Sequence, residues 1–388
     1  MTHRLTRLGA SFAVLIAMAT AVAACGSSDS SGGPTNASDT TSSATSSSTK
    51  PGVEAAKAYL AKYTDNPSSI GLPDLPDKPP ADKTIISLLV SPQPVALRVS
   101  NAQKAAAEAL GWNYSTVNAG SSQATAVSAF DAALAKHPDA ICNCGFPAAY
   151  FTKQIKQAQE DGITVISNTT ADGPTPGIIA NVGGAETEAA YGKLTAAYFV
   201  ANSDGTGKAA IFNIKIFPIL AAYTEAFNAA VKEWCPDCET QYVDQGLTDV
   251  GTKTPQSVVA FFQRNPDYKW AVFGNGDITT GVAPALKGAG ISGLNIIGEA
   301  PNQTNLASLK AGTETAWAGY PVDMLGWATM DILARHFANQ PVDAAAKTQL
   351  PLQILTKDNI EGAVVDANGD YQSVDGFQDQ FKKLWHVG

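Results

Sequence analysis

The sequence predicts an α/β protein built from two successive open sheets of parallel strands, each wrapped in helices. Three observations predict it. From Lys83 onward, apolar, β-branched runs of about five residues alternate with helical periods of about ten to fifteen, the rhythm of βαβ units. That rhythm restarts near residue 178, so two sheets are expected rather than one. Once a leader and a polar tether are set aside, about 330 residues remain, which suits two lobes of ordinary size.

Each element follows from local pattern. Residues 84–90 read as an apolar strand and 96–110 as an Ala-rich helix stopped by Gly111. A strand at 112–117 precedes a helix at 122–136 that carries Val127, Phe130 and Leu134 on one face. A short strand at 140–143, a helix at 148–161 stopped by Gly162, and a strand at 164–168 complete the first run. After the restart come a strand at 178–182, a helix at 186–202, a strand at 208–213 and a long helix at 219–234. Strands at 240–244, 270–274 and 294–298 alternate with helices at 254–265 and 278–289. A helix at 303–310, a strand at 313–318, a helix at 322–338 and a strand at 352–355 close the pattern. Upstream, Val53, Ala56, Leu60 and Tyr63 have helical spacing, and the Pro-rich stretch 65–82 is expected to lie as an irregular arm on the first lobe. Ligands of open parallel sheets sit beyond the carboxyl ends of the strands, so two such sheets facing each other make a cleft that can close.

The first fifty residues carry an export signal. Residues 1–7 hold His3, Arg4 and Arg7 and no acid, and 8–24 are uncharged and mostly apolar. This is a basic region followed by a hydrophobic one, too short for a membrane span of about 20 residues. It ends in Val22-Ala23-Ala24-Cys25-Gly26, and small residues before a cysteine resemble the lipobox of bacterial lipoproteins. The resemblance implies cleavage after residue 24 and acylation of Cys25. A plain signal peptide cut near Ala24 and a short anchor helix are the competing readings. Of the 25 residues 26–50, fifteen are Ser or Thr and none is Val, Ile, Leu or aromatic. Such a segment buries no apolar surface and suits a tether or a glycosylated stalk.

Net charge is −9, with no Lys/Arg cluster, which argues against nucleic acid as a partner. Besides Cys25 there are Cys142, Cys144, Cys235 and Cys238. An even number in an exported chain suggests disulfides. Cys235-Pro-Asp-Cys238 is expected to close locally, against the rival readings of a redox dithiol and half a zinc site. Cys142 and Cys144 are expected as buried thiols beside the cleft. No phosphate loop, Gly-x-Ser-x-Gly elbow or His-Glu-x-x-His is present, and Glu186 and Glu188 fall at a helix start, where acids favour the dipole. No catalytic residue, metal or cofactor is therefore expected.

From Lys83 to the end, the chain resembles the type I periplasmic binding proteins, in their sugar-binding, ribose-binding-like branch. The residues that carry the resemblance are KTIISLLVSPQPVAL, ALAKHPDAICNCG, AQEDGITVISNTT, AVFGNGDITTGVAPALKGAG, LPLQILTKDNI and FKKLW, taken in order and spacing. It implies two Rossmann-like lobes joined by a three-segment hinge near 181–183, 319–321 and 350–352. The first lobe would be 84–181 plus 320–350, and the second 182–319 plus 351–388. Residues 1–24 would be the signal peptide, 25–50 the tether and 51–83 a helix and arm.

Strand ends then nominate the ligand residues. In the first lobe these are Ser91, Gln93, Asn143, Phe146 and Asn168; in the second, Asn213, Phe217, Tyr223, Asn275, Asp277 and Glu299; at the second crossover, Trp317 and Tyr320. Polar groups for hydroxyls and aromatics for a ring face are what a sugar-like ligand needs. Asn and Asp at strand ends also serve as helix caps and turn formers. The family's two cleft arginines are missing at the matched positions, where Asn168-Thr169 and Tyr223 stand. A cleft without Arg suits a neutral or weakly cationic solute, less polar than ribose, better than a carboxylate or phosphate. The expectation is a monomeric, lipid-anchored solute receptor that serves the permease of an ABC importer. The alternative is a sensory protein that hands its closed form to a chemoreceptor or kinase.

Overall fold

The computed structural model describes residues 50–90 and 93–388. The signal peptide, Cys25, nearly all of the tether and Ser91 lie outside the described residues. Among those described, no helix is long and apolar enough to cross a membrane.

Two sheets form. The first lobe contains β1 (Thr84–Val90), α2 (Pro94–Ala109), β2 (Asn113–Gly120), α3 (Gln123–Leu134), β3 (Ala140–Cys144), α4 (Thr152–Glu160), β4 (Thr164–Asn168) and β5 (Asn181–Val182), preceded in the chain by α1 (Pro51–Leu60). Its strand order is β2-β1-β3-β4-β5, all parallel. The second lobe contains α5 (Ala185–Asn202), β6 (Lys208–Asn213), α6 (Pro218–Trp234), β7 (Glu239–Asp244), α7 (Thr254–Arg264), β8 (Trp270–Phe273), α8 (Val282–Gly288), β9 (Asn295–Glu299), α9 (Gln303–Ala311) and β10 (Ala316–Ala318). After α10 (Val322–Phe337) and α11 (Asp343–Ala346), β11 (Ile354–Thr356) joins this sheet antiparallel to β10, giving the order β11-β10-β9-β8-β6-β7.

The chain leaves the first sheet after β5, returns from β10 to α10, which packs on α2, and crosses again before β11. Glycine permits the tightest approaches. A Cβ on Gly326 would meet the α2 backbone at Val99 and Gln103, 2.8 and 2.9 Å away, so α10 and α2 pack in direct contact. Gly192 does the same for α5 against the carbonyl of Tyr223 on α6.

The sequence reading places the 278–289 helix as one piece. The structure breaks it: Gly281 takes φ +78° between a short 3-10 turn and α8. Pro255 packs beside Gly281, 3.1 Å from where a Cβ would lie.

Both ends of the described chain depart from the expected lobes. α1 packs on α5 and α6 of the second lobe. The arm after it is bonded to second-lobe Asn359 through the Thr64 carbonyl, and to α10 of the first lobe through the Pro73 carbonyl, which accepts from Arg335 at 2.6 Å. It thus spans both lobes rather than one. The last helix, α12 (Phe377–Leu384), was expected with the second lobe but packs on α10 of the first. Its apolar face, Phe377, Phe381 and Leu384, needs cover, and Trp327 of α10 supplies it, stacked on Trp385 at 5.4 Å. Buried Asp331 accepts from Trp385 Nε1 at 2.8 Å and from Arg335 Nε at 2.7 Å.

Cys235 and Cys238 are bonded to each other, just after α6. Cys142 and Cys144 are free thiols with sulfurs 3.4 Å apart.

Two stability effects are expected. Asp331→Ala leaves the Arg335 guanidinium buried without its carboxylate and should cost about 3–5 kcal/mol, measured by urea unfolding. Reducing Cys235–Cys238 opens a very short loop, for which chain entropy gives only about 2 kcal/mol in the same measurement.

Candidate functional site

The carboxyl ends of the two sheets enclose a cavity of about 160 Å³. That is close to the volume known to admit one benzene-sized ring. First-lobe walls come from the end of β1, the first turn of α2, and the ends of β3 and β4, including Gln93, Cys144, Asn168 and Thr169. Second-lobe walls come from the ends of β6, β8 and β9 and the first turn of α5, including Phe217, Asn275, Asp277, Glu299 and Glu188. Tyr320 closes it at the second crossover. Much of the remaining lining is aliphatic: Val90, Val95, Val99, Ile214, Ile278, Val322 and Leu325. Among the described residues no Lys, Arg or His lines it.

One hydrogen bond ties the lobes across the cavity. Asp277 Oδ2 accepts from the Val95 backbone N–H at 3.2 Å. Val95 is in the first turn of α2, whose N–H groups have no partner within the helix, and an acid is favoured there. Asp277 Oδ1 accepts from Asn302 Nδ2 at 3.2 Å, and Asn275 Oδ1 accepts from the N–H groups of Asp277 and Ile278. Asn275 therefore caps the turn that presents Asp277 to the first lobe. Phe217 is half-buried and packs against the core of each lobe.

Of the nominated residues, the structure brings Gln93, Asn168, Phe217, Asn275, Asp277, Glu299 and Tyr320 to the cavity wall. It does not bring five others there, each for a local reason. Asn143 is buried and donates to the Phe146 carbonyl at 2.8 Å and to Ser167 Oγ at 3.3 Å, bracing the turn after β3. Phe146 is in the first-lobe core, edge-on to Phe151. Asn213 donates to the Leu220 carbonyl and Thr224 Oγ1 and accepts from the Ile214 N–H, fastening the start of α6. Tyr223 is fully buried on α6, where α5 approaches at Gly192. Trp317 points into the second-lobe core and donates to Glu314 Oε2 at 2.7 Å.

Sequence reasoning missed Glu188. Glu186 and Glu188 were read together as helix-dipole acids. In the structure Glu186 is exposed, while Glu188 is 5% exposed and faces the cavity beside Glu299, itself 2% exposed. Burial pushes the Glu188 carboxyl up to about 7, and burial, with the charge and hydrogen bond of neighbouring Glu188, pushes the Glu299 carboxyl well above its ordinary value. The available signal was position: Glu188 follows the first crossover directly and sits between a strand and an otherwise buried helix face.

The structure can be compared with known proteins on this geometry. An ABC transporter solute-binding protein from Agrobacterium vitis, solved with bound allitol, superposes with a TM-score of 0.65 at 19% identity, covering 72% of this chain and 97% of its own. An ABC sugar transporter subunit from Rhodobacter sphaeroides superposes at 0.63 and 21% identity, with 71% and 99% covered. A putative LacI transcriptional regulator from Bacteroides fragilis superposes at 0.63 and 18%, with 73% and 100% covered. These likenesses establish the fold. No curated protein matches the sequence. Residues 89–341, well over half of the chain, match the family described as the periplasmic binding protein domain. With its two lobes, three crossovers and a cavity at the facing strand ends, this chain belongs to the periplasmic binding protein domain family.

Proposed function

We propose that the protein is an extracytoplasmic solute-binding lipoprotein of an ABC importer. It captures a small neutral or weakly cationic, sugar-like solute between its lobes and presents the closed form to a membrane permease. The observation that carries this is the cavity itself, walled by strand ends of both lobes and bridged by the Asp277–Val95 bond. A solute that touches both lobes favours closure by its differential affinity for the closed form. Solved relatives of the same fold include proteins described as ABC transporter components with allitol or tagatopyranose bound. The basic and hydrophobic leader, Cys25 and the Ser/Thr-rich tether support export and lipid anchoring. The absence of basic residues from the described lining supports exclusion of phosphates and carboxylates, which want guanidinium partners.

Two outcomes are expected. A thermal-shift screen of sugars, polyols, amines and small aromatics should return a stabilising ligand. The Asn275→Ala/Asp277→Ala variant should then bind it at least about tenfold more weakly by calorimetry, since a charged hydrogen bond and the turn that holds it are both lost. Unchanged affinity would mean that the pocket is wrongly placed. Separately, Cys25→Ser should move the protein from the membrane to the soluble fraction of the producing cell. Retention in the membrane would refute acylation at that sulfur.

A further inference from the structure

The cavity holds two buried acids and no protein cation to balance them. Glu188 and Glu299 face each other, and the Oε2 atom of each is buried without a further hydrogen-bond partner. So is Tyr320 Oη, on a residue only 5% exposed that lines the same cavity. Among the described residues, the other buried acids are satisfied from within. Asp331 has Arg335 and Trp385, and Glu314 has Trp317 and Asn305. Buried polar groups are ordinarily paired, so three open ones converging on one cavity mark the place where something else supplies the partner.

We infer that Glu188, Glu299 and Tyr320 form an ammonium-binding subsite, and that the solute is a compact amine with a largely apolar body. This rests on the solute-binding reading above, keeps its cationic option and replaces its sugar-like body with a less polar one. A primary ammonium has three donors and no acceptor, which matches two carboxyl groups and a phenolic oxygen. Away from Gln93, Asn168, Thr169, Asn275 and Asp277, the rest of the wall gives the body of the ligand its character. Val95, Val99, Ile214, Phe217, Ile278 and Leu325 offer apolar contact and no side-chain hydrogen bond. Each hydroxyl of a hexose turned toward them would be desolvated without compensation. An alicyclic or aromatic ring meets no such penalty and fits the volume.

The pair also sets a pH dependence. The titratable groups around it are Tyr191 on α5, Tyr223 on α6 and Tyr320 at the second crossover, with Tyr371 of the C-terminal loop beyond Tyr191, while Asp277 and Cys144 share the cavity wall. Burial pushes all four tyrosine hydroxyls up, so they stay neutral between pH 5 and 8. Glu188, pushed up to about 7, titrates in that window as one half of a pair with Glu299, with which it shares a hydrogen bond. Below it, an incoming ammonium must displace a proton. Affinity for amines therefore rises with pH from 5 to 8, whereas affinity for a neutral alcohol does not.

The test is calorimetry on the protein with matched probes: cyclohexylamine against cyclohexanol, benzylamine against benzyl alcohol, and glucose as a polyhydroxylated control. Each amine is expected to bind at least about tenfold tighter than its alcohol at pH 8, a preference that Glu188→Gln or Glu299→Gln each removes. The amine advantage should shrink at least about tenfold by pH 5. If alcohols or glucose bind as well as or better than the amines, the inference is overturned and the solute-binding reading stands. The same holds if the preference survives in both Gln variants. If no probe of either class binds, both fall.

Discussion

A parallel sheet has to be covered on both faces, because its strands are apolar on both sides. That requirement organises this molecule. In the first lobe α2 and α10 cover one face, while α3 and α4 pack with the apolar cluster on the other. In the second, α5 and α6 lie on one side and α7, α8 and α9 on the other. Once both faces are sealed, the carboxyl ends of the strands are where side chains can still converge on a ligand. The cavity forms there because the three crossovers turn the two sets of ends toward each other. Glycines at the helix contacts, Gly326 and Gly192, let the covering layer close down on backbone rather than on side chains.

Polar contacts join the lobes at the Asp277–Val95 bond and where Arg98 and Asp323 of the first lobe meet Asp370 and Gln372 of the second. Asp277 of the second lobe serves a helix start in the first, so one carboxylate does for α2 what a local cap would otherwise do. The buried carboxyls of Glu188 and Glu299 act in the opposite sense. Enclosing them disfavours their charged forms.

Away from the cavity, the ends of the described chain reinforce the hinge side. α1 lies on the second lobe, the Pro-rich arm runs from there to α10, and α12 returns to α10 from the last strand of the second sheet. The Asp331–Arg335–Trp385 network joins these pieces: Arg335 holds the arm and Asp331 holds the indole that follows α12. Lys50, where the described chain begins, bonds Asp237 and the Gly205 carbonyl of the second lobe through its ammonium.

Local pattern made most of the elements legible. Runs such as 84–90 and 164–168 are strands because their residues are apolar and β-branched, and Gly111 and Gly162 end their helices with positive φ. A two-sheet architecture was equally open to a reading of the chain, since it rests on period. What the chain alone could not settle is which way a side chain at a strand end turns. Asn213 and Asn275 look alike in sequence, yet one fastens a helix start out of the cavity and the other shapes its wall. Glu186 and Glu188 are two residues apart on one helix, and only packing against the second sheet sends the latter inward beside Glu299. The partner of α12 was likewise decided by tertiary contact, because an amphipathic helix states that it must be covered and not by what. Sequence determined the elements through interactions within a few residues; the fold decided the site, because its members come from separate crossovers of the chain and meet only when both sheets are in place.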